Sequence, residues 1–273
     1  MRTIRNYNLI QKGDKIGVAC SGGKDSMSLL YFLNKFVKQR KNLNIELVPI
    51  TIIEGIKGYR ASERELAHLI TFCKENELPL EIYSFKKEFS YSLDEMCRRL
   101  KKKPCTICGV LRRYLLNKMA GKLKLDKLAT AHNLDDEAQS VLMNQFRKNM
   151  RASAILGPVT GIIAHKKFVR RIKPLYFIAE KEVMIYAFLK NLLSKYKECP
   201  YEDESYRVAV RDMLNSFEAN HPGTKYSIIS SFLEILPMLK ERFKGEIKLC
   251  KRCKEPCSQD VCRACEILVG LKL

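Results

Sequence analysis

The chain has 273 residues, 46% of them hydrophobic, enough for one sizeable core and a smaller satellite. Fifty Lys and Arg against 30 Asp and Glu leave a formal charge of +20, which attracts polyanions and makes nucleic acid the leading partner. The opening Met-Arg-Thr-Ile-Arg-Asn-Tyr lacks an apolar signal core, and no run reaches the roughly 18 apolar residues of a membrane span, so a cytoplasmic protein with no membrane attachment is expected.

Lys15–Cys20 is a short apolar run that predicts a strand, followed by a glycine loop and a helix over Ser26–Val37. Ile45–Ile53 is β-branched and nearly continuous, as a strand buried on both faces should be, and Arg60–Asn76 carries helical spacing at Leu66, Leu69, Ile70 and Cys73. Leu80–Phe85 predicts a third strand, Val110–Leu123 a basic helix, Lys127–Ala131 a fourth strand and Asp135–Phe146 another helix. Such alternation implies parallel strands with right-handed crossovers, hence an α/β fold with a doubly wound parallel sheet. Beyond Arg171 helices take over, near Glu180–Ser194 and Thr224–Phe243, and the stretch from Cys250 is too rich in Cys and Lys to promise an apolar core.

Between the first strand and its helix lies Cys20-Ser21-Gly22-Gly23-Lys24-Asp25-Ser26. Backbone N–H groups and the helix dipole converge there on one anion site, for which phosphate is the natural occupant. The segment is not a Walker A loop, which would need glycine at Val18 and a hydroxyl at Asp25. A plain Gly-Gly turn capped by Ser21 would explain the glycines but not Lys24 and Ser26 beside them. Two acid-free basic blocks, Arg98–Lys124 and Arg147–Lys173, read as solvated helix faces or phosphate tracks; beside a phosphate loop they favour RNA.

After the fourth strand comes Ala131-His132-Asn133-Leu134-Asp135-Asp136-Glu137. Asn133 or Asp135 can cap the following helix, whereas Asp136 suits a Mg²⁺ held by one or two carboxylates and phosphates. Cys105 and Cys108, in Pro-Cys-Thr-Ile-Cys-Gly, open the basic helix with Arg112 and Arg113 a turn on, which should make both thiols unusually thiolate-like. Cys199 stands alone before Pro200, either an incidental surface cysteine or a third partner. In the tail, Cys250-x2-Cys253 and Cys262-x2-Cys265, eight residues apart, match a structural four-thiolate zinc; Cys257 is left over.

Ser21–Ser26 looks like the signature of the N-type ATP pyrophosphatases, the PP-loop superfamily. Ala131–Gln139 resembles the Gly-His-Asn-x-Asp-Asp segment of its tRNA thiolases, with Ala131 where glycine is usual. Pro-Cys-x-x-Cys-Gly with a later Cys-Pro resembles the TtcA/TtuA-type thiolases, and the tail resembles the zinc ribbon of the TtuA and archaeal NcsA-like branch. The resemblance runs from about Thr3 to the tail and includes Arg207, Arg211 and His221-Pro222-Gly223; taken alone, those arginines read as surface charges.

The resemblance implies an adenine nucleotide α-hydrolase domain over residues 1–175, a helical region over 176–246 and a zinc ribbon over 247–273. It implies that Ser21, Gly22, Gly23, Lys24, Asp25, Ser26 and Ala131 hold ATP, with Lys24 stabilising the leaving pyrophosphate and Asp136 supporting Mg²⁺. Cys105, Cys108 and Cys199 would bind a 4Fe-4S cluster with one iron open to an extra sulfide, although a persulfide relay between Cys105 and Cys199 uses the same thiols. The expected activity is ATP-dependent adenylation of a tRNA uridine O2 followed by sulfur insertion. Expected partners are tRNA and a sulfur donor, either sulfide or a ubiquitin-like sulfur carrier, and the chain is compatible with a homodimer. The rivals are a lysidine synthetase-like or sulfur-sacrificing enzyme of the same fold, and a non-enzymatic RNA-binding zinc protein.

Overall fold

The computed structural model describes residues 1–57, 59, 61–163, 167–193, 199–201, 206–245 and 247–272, with 61–64 described in backbone only. A short helix α1 (Arg2–Asn6) leads to strand β1 (Lys15–Ala19), helix α2 (Lys24–Gln39), strand β2 (Glu46–Ile53), helix α3 (Ala61–Glu75) and strand β3 (Glu81–Ser84). Three helices follow, α4 (Phe85–Phe89), α5 (Leu93–Leu100) and α6 (Pro104–Lys122), before strand β4 (Lys127–Ala129) and helices α7 (Leu134–Phe146) and α8 (Met150–Ile155). Strands β5 (Val159–Thr160) and β6 (Arg170–Ile172) precede helices α9 (Glu180–Leu189), α10 (Tyr206–Asn220) and α11 (Thr224–Arg242). The tail adds a hairpin, β7 (Lys248–Leu249) and β8 (Pro256–Cys257), and helix α12 (Arg263–Gly270).

The main sheet has the order β3-β2-β1-β4-β6-β5, parallel throughout except where β5 runs against β6. Such a reversal of strand order between β1 and β4 leaves a crevice at the carboxyl ends of the strands, where ligands collect in doubly wound folds. Side chains alternate across the sheet as strand geometry requires. Ile16, Val18 and Leu47 meet Met27, Leu30, Leu33 and Leu69 of α2 and α3 on one face. Val48 and Ile50 meet Leu116, Ala120 and Leu128 on the other. Each fully buried Leu, Ile or Phe contributes roughly 1.5–3 kcal/mol, so this double burial carries the stability of the sheet.

Two further cores flank the sheet. Leu134, Ala138 and Val141 of α7 pack with Val210, Leu214, Ile229, Phe232 and Leu236 of α10 and α11. The other gathers Phe85, Leu93, Met96, Ile107, Leu111 and Leu115 with Ala264, Ile267 and Leu271 of the tail. This corrects the expectation that the tail makes no apolar core, because α12 turns its few apolar residues onto α6. The expected strands and long helices recur with shifted ends, except that the ends at Arg60 and Ser194 lie outside the described residues. Helix α6 starts at Pro104 rather than Val110, with proline at its first turn, where the missing N–H costs nothing. Among the described residues no helix is long and apolar enough to cross a membrane.

Candidate active site and cysteine centres

The loop after β1 closes on itself through Ser26. Its hydroxyl accepts from the N–H of Ser21 and of Gly22, each at 3.2 Å, and donates to the Gly23 carbonyl at 3.0 Å. Gly22 sits at φ +89°, and a Cβ there would lie 2.6 Å from Glu65 Cβ and 2.9 Å from its carbonyl, so glycine is required on both counts. Gly23 precedes α2 in the N-cap position, leaving the first-turn N–H groups open to an anion.

Lys24 donates to Glu180 at 2.8 Å and to Asp25 at 2.9 Å. Burial alone would lower its pKa, but the hydrogen bonds to Glu180 and Asp25 outweigh it and raise the value. Opposite stands the start of α7, where Asn133 accepts from the Asp136 N–H at 3.0 Å and Asp136 accepts from the Asn133 N–H at 3.3 Å. Asn133 also donates its side-chain amide to Asp25 at 3.3 Å, joining both segments across the crevice. Asp136 therefore caps the helix with Asn133 while its carboxylate still opens on the crevice. Crowding by protein pushes its pKa up to about 6; Arg207 and the Asn133 N–H oppose this, and Asp25 and Glu180 reinforce it. Ala131, just after β4, is half-buried against the sheet core.

The adjacent Asp135 has a separate task. It is buried, pairs with Lys225 of α11 and accepts from the Glu180 N–H at 2.7 Å, so one carboxylate ties together the starts of α7, α9 and α11. Arg207 is not a plain surface charge: it donates to Gln139 at 3.1 Å and Ser140 at 3.2 Å along α7. Arg211 pairs with its neighbour Asp212 at the surface. Gly223 is the αL N-cap of α11, its N–H donating to Glu218 at 2.8 Å. His132 opens to the crevice but is crowded by protein; this, then Lys173, Arg207, Arg171 and Arg113, pushes its pKa down to about 3 and keeps the ring neutral.

Cys105, Cys108 and the 199–201 segment meet at the start of α6. The Cys105 thiol donates to the Tyr201 carbonyl at 3.4 Å, and Tyr201 in turn donates its hydroxyl to Asp94 at 2.7 Å. Cys108 interacts electrostatically with both Cys199 and Cys105. Arg112 bridges Cys108, at 3.2 Å, and Glu54 at the end of β2, at 2.8 Å. The expectation of a thiolate-like Cys108 is reversed: burial pushes its pKa up to about 11, Glu54 adds to this, and Arg112 only partly opposes it. Iron would override that preference, because a coordinating thiol loses its proton outright.

In the tail, the Sγ atoms of Cys250, Cys253, Cys262 and Cys265 all lie within 4.8 Å of one another. A zinc tetrahedron with Zn–S of about 2.3 Å has edges of about 3.8 Å, and Cys253 and Cys262 stand 3.7 Å apart. The Cys262 N–H donates to Cys250 at 3.3 Å and the Cys265 N–H to Cys262 at 3.4 Å. Burial would raise the Cys250 pKa, yet the N–H groups of Cys253, Cys262 and Arg252 hold it down to about 6, whereas burial pushes Cys262 up to about 11 and raises Cys265 as well. Cys257 turns away to the Gln259 carbonyl. Sequence reasoning missed Glu180, Glu54 and the role of Asp135; their partners lie 156, 58 and 90 positions away, beyond any local pattern.

The PP-loop domain family matches residues 2–216. A probable sulfurtransferase of Methanocaldococcus jannaschii is 39% identical over 99% of this chain and 79% of its own. The tRNA-5-methyluridine(54) 2-sulfurtransferase of Pyrococcus horikoshii is 37% identical over 99% of this chain and 83% of its own. Among solved structures, the U34-tRNA thiolase NcsA from Methanococcus maripaludis with its [4Fe-4S] cluster has a TM-score of 0.83 and 36% identity, covering 99% of this chain and 86% of that one. The chain belongs to the PP-loop family and, within it, to the tRNA-thiolating sulfurtransferases.

Proposed function

We propose that this enzyme makes 2-thiouridine in tRNA by splitting ATP at the α–β bond and inserting sulfur beside the same crevice. The observation that carries the reading is the contact of Cys105 with Tyr201, which brings the segment of Cys199 onto the start of α6. In the proposed sequence the uridine O2 attacks the α-phosphorus and the bond to the β-phosphate breaks, releasing pyrophosphate. Sulfur then adds at C2 and AMP departs with the oxygen. Neither a lysidine synthetase-like enzyme nor a non-enzymatic RNA-binding zinc protein has a use for those three thiols together.

The chain's own groups divide the work. Ser21–Ser26 presents N–H groups to the phosphates, and Lys24 exchanges Asp25 and Glu180 for the charge developing on pyrophosphate. Asp136 and Asp25, linked through Asn133, are the carboxylates that would hold Mg²⁺, which supplies further charge neutralisation on the phosphates. Cys105, Cys108 and Cys199 would hold the 4Fe-4S cluster, which supplies an open iron for the incoming sulfur. The sulfur itself comes from sulfide or a ubiquitin-like carrier. Product analysis with tRNA present should give AMP and pyrophosphate in equal amounts; ADP and phosphate would overturn this reading.

Zinc at Cys250, Cys253, Cys262 and Cys265 is structural in this proposal, since four thiolates leave no open position. Cys253→Ser should lose about one zinc per chain and loosen the tail from α6. Unchanged zinc content in that variant, measured by atomic absorption, would sink the assignment.

A further inference from the structure

A cavity of about 1040 Å³ lies between α6, the β5–β6 edge, the end of α11 and the cysteine hairpin of the tail, and no step above uses it. One face of α6 reaches it through Val110, Arg113, Tyr114 and Asn117, which share one side at helical spacing. Its charge is one-sided: Arg113, Arg151, Arg170, Arg171, Lys240 and Arg263 line it, against the single carboxylate Glu255, which already accepts from Asn117 at 2.7 Å.

Two of these cations are placed as a pair. Arg171 donates to the Arg113 carbonyl at 3.0 Å, which fixes its guanidinium and leaves further N–H groups unused. Among the described residues no carboxylate answers either side chain. Crowding by protein around the half-buried Arg171, and then Arg113, lowers its pKa to about 10, as expected where two cations share one wall. Apolar side chains, among them Ile155, Ile163, Phe168 and Phe243, make up much of the remaining wall, so the cavity joins an anion-seeking end to a face suited to stacking.

We propose that this cavity receives a nucleotide of the tRNA other than the reacting uridine, its phosphate between Arg113 and Arg171 and its base against Phe243. The inference rests on the thiolase reading and deepens it. The site accounts for the placement of the tail hairpin, whose Glu255 and Cys257 line the cavity roof. It also gives the basic block around Arg170 a defined contact instead of a diffuse field.

The test is tRNA binding by the metal-loaded full chain, followed by fluorescence anisotropy over a salt series. Arg171→Met should weaken binding about tenfold or more and lower the log–log salt slope by roughly 0.7–0.9, the loss of one phosphate contact. Phe243→Ala, at the surface end of α11, should weaken binding about fivefold or more with the slope unchanged, since stacking carries no counterion release. Both variants should bind an ATP analogue and retain iron and zinc as the wild type does. Wild-type affinity and slope in both variants, with the parent protein binding tRNA normally, would overturn the proposal while leaving the thiolase reading intact. Failure of the parent protein to bind tRNA would defeat that reading first. Two more results overturn the cavity assignment: normal RNA binding with lost binding of a protein sulfur carrier, and a free mononucleotide occupying the site as tightly as tRNA.

Discussion

Cys199→Ala, purified without oxygen, is expected to lose tRNA thiolation by more than about 100-fold while binding ATP as the wild type does. Changes in the surroundings of a metal ligand alone typically cost 10–100-fold, so removal of a ligand should cost more. Cys199 lies 91 positions from Cys108 and belongs to a different part of the chain from the phosphate loop, so nothing in Ser21–Ser26 depends on its thiol. The same loss should follow Cys105→Ala and Cys108→Ala. A full 4Fe-4S absorption spectrum with normal thiolation in Cys199→Ala would remove that residue from the site. Wild-type activity in protein containing no iron would instead favour a persulfide relay between Cys105 and Cys199.

Lys225→Met is the substitution expected to cost most in stability. Lys225 and Asp135 are 9% and 8% exposed, and the lysine also donates to Asn215 at 2.6 Å. Removing the cation leaves a buried carboxylate with the Glu180 N–H as its remaining described partner. Breaking such a pair from one side costs about 3–5 kcal/mol. A urea unfolding series should show a midpoint shift of that size, and ATP binding should weaken with it, because Glu180 also holds Lys24. A loss below about 1 kcal/mol, the scale of an exposed pair, would show that the pair does not lock these helices together.

What the sequence disclosed depended on whether the signal was local. The strands expected over Lys15–Cys20 and Ile45–Ile53, found as β1 and β2, announced themselves because burial on both faces demands nearly continuous apolar residues. Strand β6, Arg170-Arg171-Ile172, did not, since two arginines in three residues carry no strand pattern and its register comes from β4. Helix α10 escaped for a related reason: the apolar spacing of Val210 and Leu214 is diluted by exposed Met213 and Phe217. Apolar spacing alone put the start of α6 at Val110, whereas the proline and cysteine pair of Pro104–Cys108 marked where it opens. Within the site, the glycine loop and the cysteine pairs were legible as spacing. The direction of the Cys108 shift was not, because Arg112 is visible four residues on whereas burial and Glu54 arrive only with the fold.

The two carboxylates on Lys24 bear on how a basic chain keeps its ATP site for ATP. In a molecule of net charge +20, RNA phosphates are drawn to many surfaces, and a bare ammonium beside open helix N–H groups would be one more place to stick. With Asp25 and Glu180 both within 2.9 Å of Lys24, the loop is electrically quiet, even slightly negative, when no nucleotide is present. An arriving polyphosphate can displace that pair because it brings several charges, the geometry of the loop and a divalent cation at once. A single passing backbone phosphate brings none of these in combination. On the proposed reading, the salt bridge to Glu180 would work as a selectivity filter, letting one polyanion be the fuel and the other the substrate without the two competing for the same seat.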